Sequence, residues 1–325
     1  MRISYIDFSV HAVFTAGDSP VDSIPVLADM GVISYKMFMA YAKRGMMMPD
    51  DMMLEIMDIT SSVGGLAMVH AENGHHIDHM INKLTAEGKT EAKYFLPSQP
   101  NVAEAEAVYR ALTYAEVKSC PIYIVHLSAK ESLPIVMNKK FAGQTIYGET
   151  CPHYLTLTND ELLTKGYIAK VAPPLREQDD VDALWEAIDN CTIDVIGSDS
   201  TGLTMLQKES GGLDSDLSSL EITDKRASGN IFGARYGLNT IQHMVPVIFS
   251  EITRNSRISF QRLVKLFCEN PAKIFGLYPT KGVLQEGSDA DLVLWDPKQK
   301  WTVESSSLGG NGDFTTFEGF ELLGL

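Results

Sequence analysis

Residues 64–70 read GGLAMVH, a short apolar run that closes on a histidine before the polar sequence AENG. Three further runs have the same form, with an ionisable residue near the carboxyl end: GVISYKMF at 31–38, PIYIVHLS at 121–128 and TIDVIGSD at 192–199. Short apolar runs of this kind are typical of strands buried on both faces, as in a parallel sheet. The fold therefore depends on what separates these four runs.

Longer stretches of helical period lie between the runs, and the alternation continues along most of the chain. The predicted strands are Ser4–Val10, Val32–Met39, Gly65–His70, Pro121–Leu127, Thr145–Cys151 and Ile193–Asp199. The predicted helices are Asp50–Ser62, Asn101–Lys118, Ala129–Asn138, Gln178–Asn190 and Ser259–Glu269. Repeated βα units of this kind predict an α/β fold around a parallel sheet. The polar stretch Gly202–Gly229 is expected to be a long mobile loop, and turn residues from Gly282 onward predict a small β layer.

Composition excludes several classes of partner. The chain has 325 residues, with 27 Lys and Arg against 42 Asp and Glu, and a formal net charge of −15. Nucleic acid and anionic lipid are therefore not expected partners, because both are bound through clustered Lys and Arg. The four cysteines form no C-x-x-C pair, which argues against a zinc knuckle or a disulfide framework. Without the pattern of a signal peptide, the expected location is the cytoplasm.

Ionisable residues mark the carboxyl ends of four predicted strands, at Lys36, His70, His126 and Asp199. In a (β/α) barrel these ends converge on the face that carries the active site. Each residue alone is more often a core, capping or snorkelling residue, but their joint occurrence predicts a shared site. Imidazole and carboxylate are ligands expected for zinc or another divalent ion. A lysine fits such a site as a neutral amine, which can add carbon dioxide and become a carbamate.

An ordered set of motifs extends over nearly the whole chain. The motifs are GVISYKMFMAY, MVHAENG, IVHLSAKES, GETCPHYLTL, KVAPPLR, VIGSDS and NPAKIFGLYPTKGVLQEGSDADLVLWDP. Together they resemble the cyclic amide hydrolases of the amidohydrolase superfamily, above all the dihydropyrimidinase and hydantoinase subgroup. The resemblance implies a metal-dependent hydrolase with a TIM-like (β/α) barrel. It also implies hydrolysis of a dihydropyrimidine, hydantoin or similar ring to an N-carbamoyl amino acid.

The resemblance assigns roles to individual residues. Lys36 matches the carboxylated lysine that bridges two metal ions, and His70 and His126 match the histidines that hold one of them. Asp199 matches the aspartate that binds the other ion and acts as general base and proton shuttle. Tyr41 matches the tyrosine whose hydroxyl stabilises the oxyanion of the tetrahedral intermediate.

Substrate contacts and metal number are less completely matched. The family holds its substrate largely through backbone groups, which the resemblance assigns to Ala172 and Asn230, with Tyr41 as a further contact. The segment around Asn230 departs from the family pattern, so the identity of the ring stays open. The family's first barrel strand carries a His-x-His pair, which this sequence lacks. We therefore expect at most about one divalent ion, where the family has two, beside the carbamate of Lys36.

The same comparison predicts how the chain is organised. Residues 1–280 are expected to form a partial barrel without the first two strands, and residues 281–325 a β-sandwich remnant with a truncated tail. A homo-oligomer is expected, because the family usually forms tetramers. The missing His-x-His keeps an alternative open, namely a non-catalytic relative that serves assembly or regulation. An unrelated phosphate-binding barrel has little support, because no Gly-rich loop follows Thr145–Cys151 or Ile193–Asp199.

Overall fold

A computed structural model describes residues 6–209 and 229–324, and most of the loop predicted at Gly202–Gly229 lies outside these ranges. Six strands form one parallel sheet in which each strand pairs with the next strand along the chain. They are β1 (Ala12–Val13), β2 (Ser34–Phe38), β3 (Leu66–His70), β4 (Ile122–Ile124), β5 (Ile146–Thr150) and β6 (Val195–Ile196). This sequential order confirms the predicted TIM-barrel-like α/β fold. The predicted absence of two barrel strands stays a prediction.

Helices follow the strands and cover the outside of the sheet. The first nine are α1 (Pro20–Asp29), α2 (Asp50–Ser62), α3 (Gly74–Ala86), α4 (Phe95–Ser98), α5 (Asn101–Val117), α6 (Ser132–Phe141), α7 (Pro152–Thr156), α8 (Asn159–Lys165) and α9 (Gln178–Asp189). Four more complete the described part: α10 (Met205–Glu209), α11 (Met244–Asn255), α12 (Phe260–Val264) and α13 (Asn270–Ile274). A π-helical turn, Lys265–Glu269, joins α12 to α13. No helix among the described residues is both long and apolar enough to cross a membrane.

The pairing of α2 with β3 shows why the sequence folds this way. Helix α2 follows Pro49 and has acidic residues in its first turn, where the helix dipole favours negative charge. Its buried residues recur at helical spacing: Met53, Ile56, Met57 and Thr60. Every residue of β3 is buried, as expected for a parallel strand between helices. The register of β2 and β3 sets Phe38 opposite His70 at the carboxyl end.

The strand predicted at Ser4–Val10 is wrong in position. Residues 6–10 contain no strand and expose their apolar side chains, while the first strand of the sheet is β1. Its two residues pair with Tyr35 and Lys36 of β2. Alternation of apolar and polar residues fits a strand, but a strand forms only where a neighbour offers backbone partners. Here the backbone of β2 pairs with Ala12 and Val13, which lie just after the alternating residues 4–10.

The C-terminal region contains less β structure than its sequence predicts. Residues 282–299 form no strand, although Leu292, Val293 and Leu294 carry strand-forming side chains. A two-stranded antiparallel sheet consists of β7 (Lys300–Thr302) and β8 (Glu321–Leu323). Around it, Val303, Phe317 and Leu322 are buried in the same core as the barrel residues. The division into a barrel domain at 1–280 and a sandwich remnant at 281–325 stays a prediction.

Candidate active site

A cavity of ≈ 270 Å³ opens at the carboxyl ends of the strands. Six of the seven residues proposed from the sequence line it: Lys36, Tyr41, His70, His126, Ala172 and Asp199. They come from separate segments of the chain, since Lys36 lies within β2, His70 ends β3, and the others follow strands or lie in loops. Parallel strands bring such positions together because their carboxyl ends share one edge.

The two histidines lie in contact and are neutral. The rings of His70 and His126 meet edge to face, with centroids 4.5 Å apart. Burial lowers the pKa of His70, against the opposing effect of Glu72, whose Oε2 lies 2.8 Å from His70 Nε2. Burial also holds the pKa of His126 well below its usual range, with repulsion from His70 adding to the effect. Neutral imidazole keeps a nitrogen lone pair, which is the form that binds metal ions.

Three of the proposed residues have a left-handed backbone conformation that residues other than glycine rarely adopt. The φ angles are +69° at Tyr41, +41° at His126 and +45° at Asp199. Such left-handed positions are costly and persist where the surrounding structure fixes them, often at functional sites. Each of the three lies in a loop that follows a strand, and each lines the cavity.

An acid–base cluster surrounds Lys36. Burial lowers the pKa of Lys36 to about 8, while Glu149 and Asp199 act in the opposite direction. Burial raises the pKa of Asp199 to about 7, with Lys36 opposing and Glu149 adding to the increase. Burial thus brings the two pKa values toward each other. Lys36 has an accessible neutral form, and Asp199 has an accessible protonated form.

The carboxylate of Glu149 was not predicted as part of the site. It accepts hydrogen bonds from the hydroxyl of Tyr123 (2.7 Å) and the backbone N–H of His126 (3.2 Å). A side chain at Gly197 would place its Cβ 2.4 Å from Glu149 Oε2 and would therefore displace this carboxylate. The sequence signal was available, because Glu149 lies near the end of β5, as the predicted ligands lie near the ends of theirs.

Aromatic rings form one wall of the cavity. The Tyr41 ring lies 4.9 Å from His70 and 5.9 Å from Tyr236, measured between ring centroids. The guanidinium of Arg44 lies 5.3 Å from the centres of both tyrosine rings. Burial raises the pKa of Tyr41 well above its usual value, so its hydroxyl remains a hydrogen-bond donor at neutral pH.

Asn230 is the proposed residue that does not reach the cavity lining. Its side chain accepts a hydrogen bond from the backbone N–H of Phe232 (3.0 Å) and begins a 3₁₀ turn, Ile231–Gly233. The same segment reaches the cavity further on, through Tyr236 and Gly237. The sequence did not predict these two residues. The prediction rested on Asn230, although the segment around it departs from the family pattern.

The donor set of the site fits one divalent ion. His126 Nδ1 is buried without a hydrogen-bond partner among the described residues, as expected of an atom reserved for a ligand. Lys36 lies in the same cavity and has an accessible neutral form for carbamate formation. His70, His126 and Lys36 as its carbamate would therefore hold the ion, with Asp199 beside them.

A cluster of closely spaced carboxylates lies outside the cavity lining. In residues 6–209 and 229–324, the group of three His, Cys, Asp or Glu side chains with ligand atoms within 4.8 Å is Asp7, Asp289 and Asp291, all exposed. The ammonium of Lys281 contacts all three carboxylates, at 2.9 Å for Asp7 and Asp289. That cluster is thus a surface ion-pair network. In the cavity, the ligand atoms of His70, His126 and Asp199 do not all lie within 4.8 Å of one another.

Comparison with known proteins agrees with this geometry. The sequence model of the amidohydrolase family matches residues 36–319. The chain is 37% identical to a D-hydantoinase of Ralstonia pickettii over 327 residues, which cover 99% of this chain and 68% of that protein. It is 30% identical to an L-hydantoinase of Paenarthrobacter aurescens, covering 98% and 66% of the two chains.

Solved structures give the same result. The crystal structure of a dihydropyrimidinase from Brevibacillus agri superposes with a TM-score of 0.89 at 30% identity, covering 98% of this chain and 67% of that one. A D-hydantoinase structure superposes with a TM-score of 0.89 at 35% identity and the same coverage. With the family model, the relatives and the shared fold in agreement, this chain belongs to the amidohydrolase family, in its hydantoinase and dihydropyrimidinase group.

Proposed function

We propose that this chain hydrolyses the C–N bond of a cyclic amide, such as a dihydropyrimidine or hydantoin, to give an N-carbamoyl amino acid. The observation that supports this most is the meeting of Lys36, Tyr41, His70, His126 and Asp199 around one cavity. Two neutral imidazoles, an amine with a lowered pKa and a carboxylate with a raised one form a donor set for metal-assisted hydrolysis.

The metal site is part of the proposal. Lys36 would react as a neutral amine with carbon dioxide, forming an N–C bond and releasing one proton, and the resulting carbamate would bind the ion with His70 and His126. When bound, zinc or another divalent ion would activate water near neutral pH and polarise the ring carbonyl. The pKa of about 8 for Lys36 supports carbamate formation at neutral pH.

The protein's own groups would then manage charge and protons. Tyr41, a hydroxyl kept protonated by burial, would donate a hydrogen bond to the developing oxyanion. Asp199 has a pKa of about 7 and would accept a proton from the attacking water and pass it to the leaving ring nitrogen. In balance, the ring C–N bond breaks, a C–O bond forms, and one water is consumed. The cavity walls at Ala172 and Tyr236 would orient the ring.

Turnover by the zinc-reconstituted protein tests the proposal. The substrates are dihydrouracil and a set of 5-substituted hydantoins, and the measurement is the N-carbamoyl acid separated by chromatography. Asp199→Asn should reduce turnover about 10²- to 10⁴-fold, the usual contribution of a general acid–base residue. Asp194→Asn is the matched control, because Asp194 pairs with Lys140 next to the amino end of β6 and lies outside the cavity lining.

The outcomes separate the two candidate functions. Turnover that Asp199→Asn removes and Asp194→Asn keeps would support the cyclic amidase. A folded, zinc-loaded sample that turns over none of these rings would favour the non-catalytic assembly or regulatory protein. Homo-oligomerisation and a cytoplasmic location stay predictions, and sedimentation of the purified chain would test the first of them.

A further inference from the structure

Two lysines near the cavity are fully buried. Lys170, which begins the KVAPPLR segment, and Lys208 of α10 each have 0% of their surface exposed. Among the described residues, both amines contact backbone carbonyls and aromatic rings and not carboxylates. Burial lowers the pKa of Lys170 to about 7 and holds that of Lys208 well below its usual range. Charged or neutral, an amine keeps at least two N–H donors, so its hydrogen bonds survive in either state.

Each lysine donates to two backbone carbonyls of other segments. Lys208 Nζ donates to the carbonyl of Lys170 at 2.5 Å and also to that of Gly237. Lys170 Nζ donates to the carbonyl of Phe232 at 3.3 Å and also to that of Ala234. The amines thus connect the segment at 170 with the segment at 232–237.

Backbone hydrogen bonds run in the opposite direction between the same segments. The N–H of Gly237 donates to the carbonyl of Lys170 (3.1 Å), and the N–H of Arg235 donates to that of Lys208 (3.1 Å). Removing either amine would leave buried carbonyls short of a donor, which a methylene of the same length cannot replace. An apolar side chain could fill the space, but it could not hold the segment at 170 and the segment at 232–237 at a fixed distance.

The connected segments form one side of the cavity. Val171 and Ala172 follow Lys170 directly, while Tyr236 and Gly237 belong to the segment that both amines hold. The Lys170 ammonium also lies 4.2 Å from the centre of the Tyr236 ring. Gly237 has φ +119°, and a Cβ there would approach the Thr201 side chain to 2.4 Å, so this position of the wall requires glycine.

We propose that Lys170 and Lys208 are positioning residues, which hold the 171–172 and 236–237 walls of the cavity at the spacing that the substrate ring requires. This inference rests on the proposed cyclic amidase activity. Neither amine lines the cavity, so each would act through the backbone it holds and not by touching substrate. A displaced wall would weaken ring binding more than it would slow the chemistry at Asp199 and Tyr41.

Lys208→Met tests the proposal, because methionine is an unbranched side chain only one atom shorter than lysine and removes the donors. The KM for the best ring substrate should rise about tenfold or more, while kcat changes less than about threefold, the pattern of lost substrate binding. Lys208→Gln restores N–H donors without charge and should recover part of the KM. Zinc content should be unchanged in both variants.

Lys140→Met is the matched control. Lys140 also donates to two backbone carbonyls, those of Cys191 (3.3 Å) and Thr192 (3.0 Å), and lies near the amino end of β6. This variant should lose stability and keep the KM of the wild type. If Lys208→Met behaves in the same way, losing stability with an unchanged KM, the lysine is merely structural and the positioning role is wrong.

Amide hydrogen exchange gives a result independent of turnover. In Lys208→Met, the amides of residues 234–238 should exchange about tenfold faster or more, because local opening of this wall costs less. Unchanged exchange would overturn the inference even if the wild type proves inactive. If the wild type turns over no ring but Lys208→Met still exchanges faster, the proposed activity is rejected. The two lysines would then hold the packing of the two walls, and their role in substrate binding would be contradicted.

Discussion

His70 Nε2 and Glu72 Oε2 lie 2.8 Å apart, and both side chains are buried with about 2% of their surface exposed. This contact fixes the ring orientation and, when Nε2 carries the proton, leaves the lone pair on Nδ1. Glu72 therefore orients the His70 ring through this contact, as hydrogen-bonded carboxylates commonly do for metal-binding histidines.

Glu72→Gln should weaken zinc binding about 10- to 100-fold, the usual effect of losing such a carboxylate. Glutamine keeps the volume and an acceptor oxygen but removes the charge that favours the His70 N–H. Competition with a chromophoric chelator measures the affinity. Glu106→Gln is the control, since Glu106 pairs with Arg110 on the surface of α5. Equal zinc affinity for wild type and Glu72→Gln would show that Glu72 is only a structural partner of His70.

Tyr41→Phe should lower kcat about 10²- to 10³-fold and change KM little, because an oxyanion donor acts mainly in the transition state. The control is Tyr35→Phe, which removes a buried hydroxyl that donates to the Val32 carbonyl (2.8 Å) at the other end of β2. That control should lower stability and keep kcat. Steady-state kinetics on the best ring substrate distinguishes the two variants, and an unaltered kcat for Tyr41→Phe would remove Tyr41 from the mechanism.

The residues at the strand ends could be predicted because the carboxyl ends of parallel strands lie at one edge of the sheet. Lys36, His70, His126 and Asp199 come from four different strands or the loops after them, and parallel pairing alone brings those positions to one edge. No knowledge of distant contacts was needed. Their chemical roles stay predictions, because proximity in a cavity does not identify which group binds metal or carries a proton.

Other members of the site depend on contacts that a single sequence does not encode. Tyr236 reaches the cavity through hydrogen bonds between its segment and Lys170 and Lys208, which are far apart in the chain. The Glu149 carboxylate occupies space that a side chain at Gly197 would take, which is a contact between residues far apart in the chain. The edge strand β1 was misplaced for a related reason, since its position is set by β2 and not by its own alternation.

Lys36→Met should abolish zinc uptake by the site, because methionine cannot form a carbamate. Wild-type protein stripped of zinc should likewise take up less zinc in carbon-dioxide-free buffer than in bicarbonate, with the pKa of about 8 for Lys36 providing the reactive amine. Elemental analysis after desalting should give about one zinc per wild-type chain. Lys140→Met is the control and should follow the wild type. Full zinc occupancy in Lys36→Met, or equal uptake with and without bicarbonate, would contradict the carbamate.

His153 gives a prediction about stability and pH. Its side chain is fully buried, neither ring nitrogen has a hydrogen-bond partner among the described residues, and burial lowers its pKa to about 3. The unfolded chain binds a proton here near pH 6.5, whereas the folded chain binds it only near pH 3. The contribution to stability is therefore fully present above pH 6.5 and is lost as the pH falls below it, by at most about 1.4 kcal/mol per pH unit.

His153→Leu should remove this acid sensitivity and leave stability at pH 8 equal or higher, because the imidazole makes no hydrogen bond with the described residues that leucine would forfeit. Urea unfolding of the zinc-free protein between pH 8 and pH 5 measures the free energy of unfolding of both chains. The difference between variant and wild type should grow in favour of the variant as the pH falls. His79→Leu, which changes an exposed histidine of α3, is the control and should not reproduce this growth. A constant difference across the range would mean that His153 is hydrated or paired in solution and titrates normally.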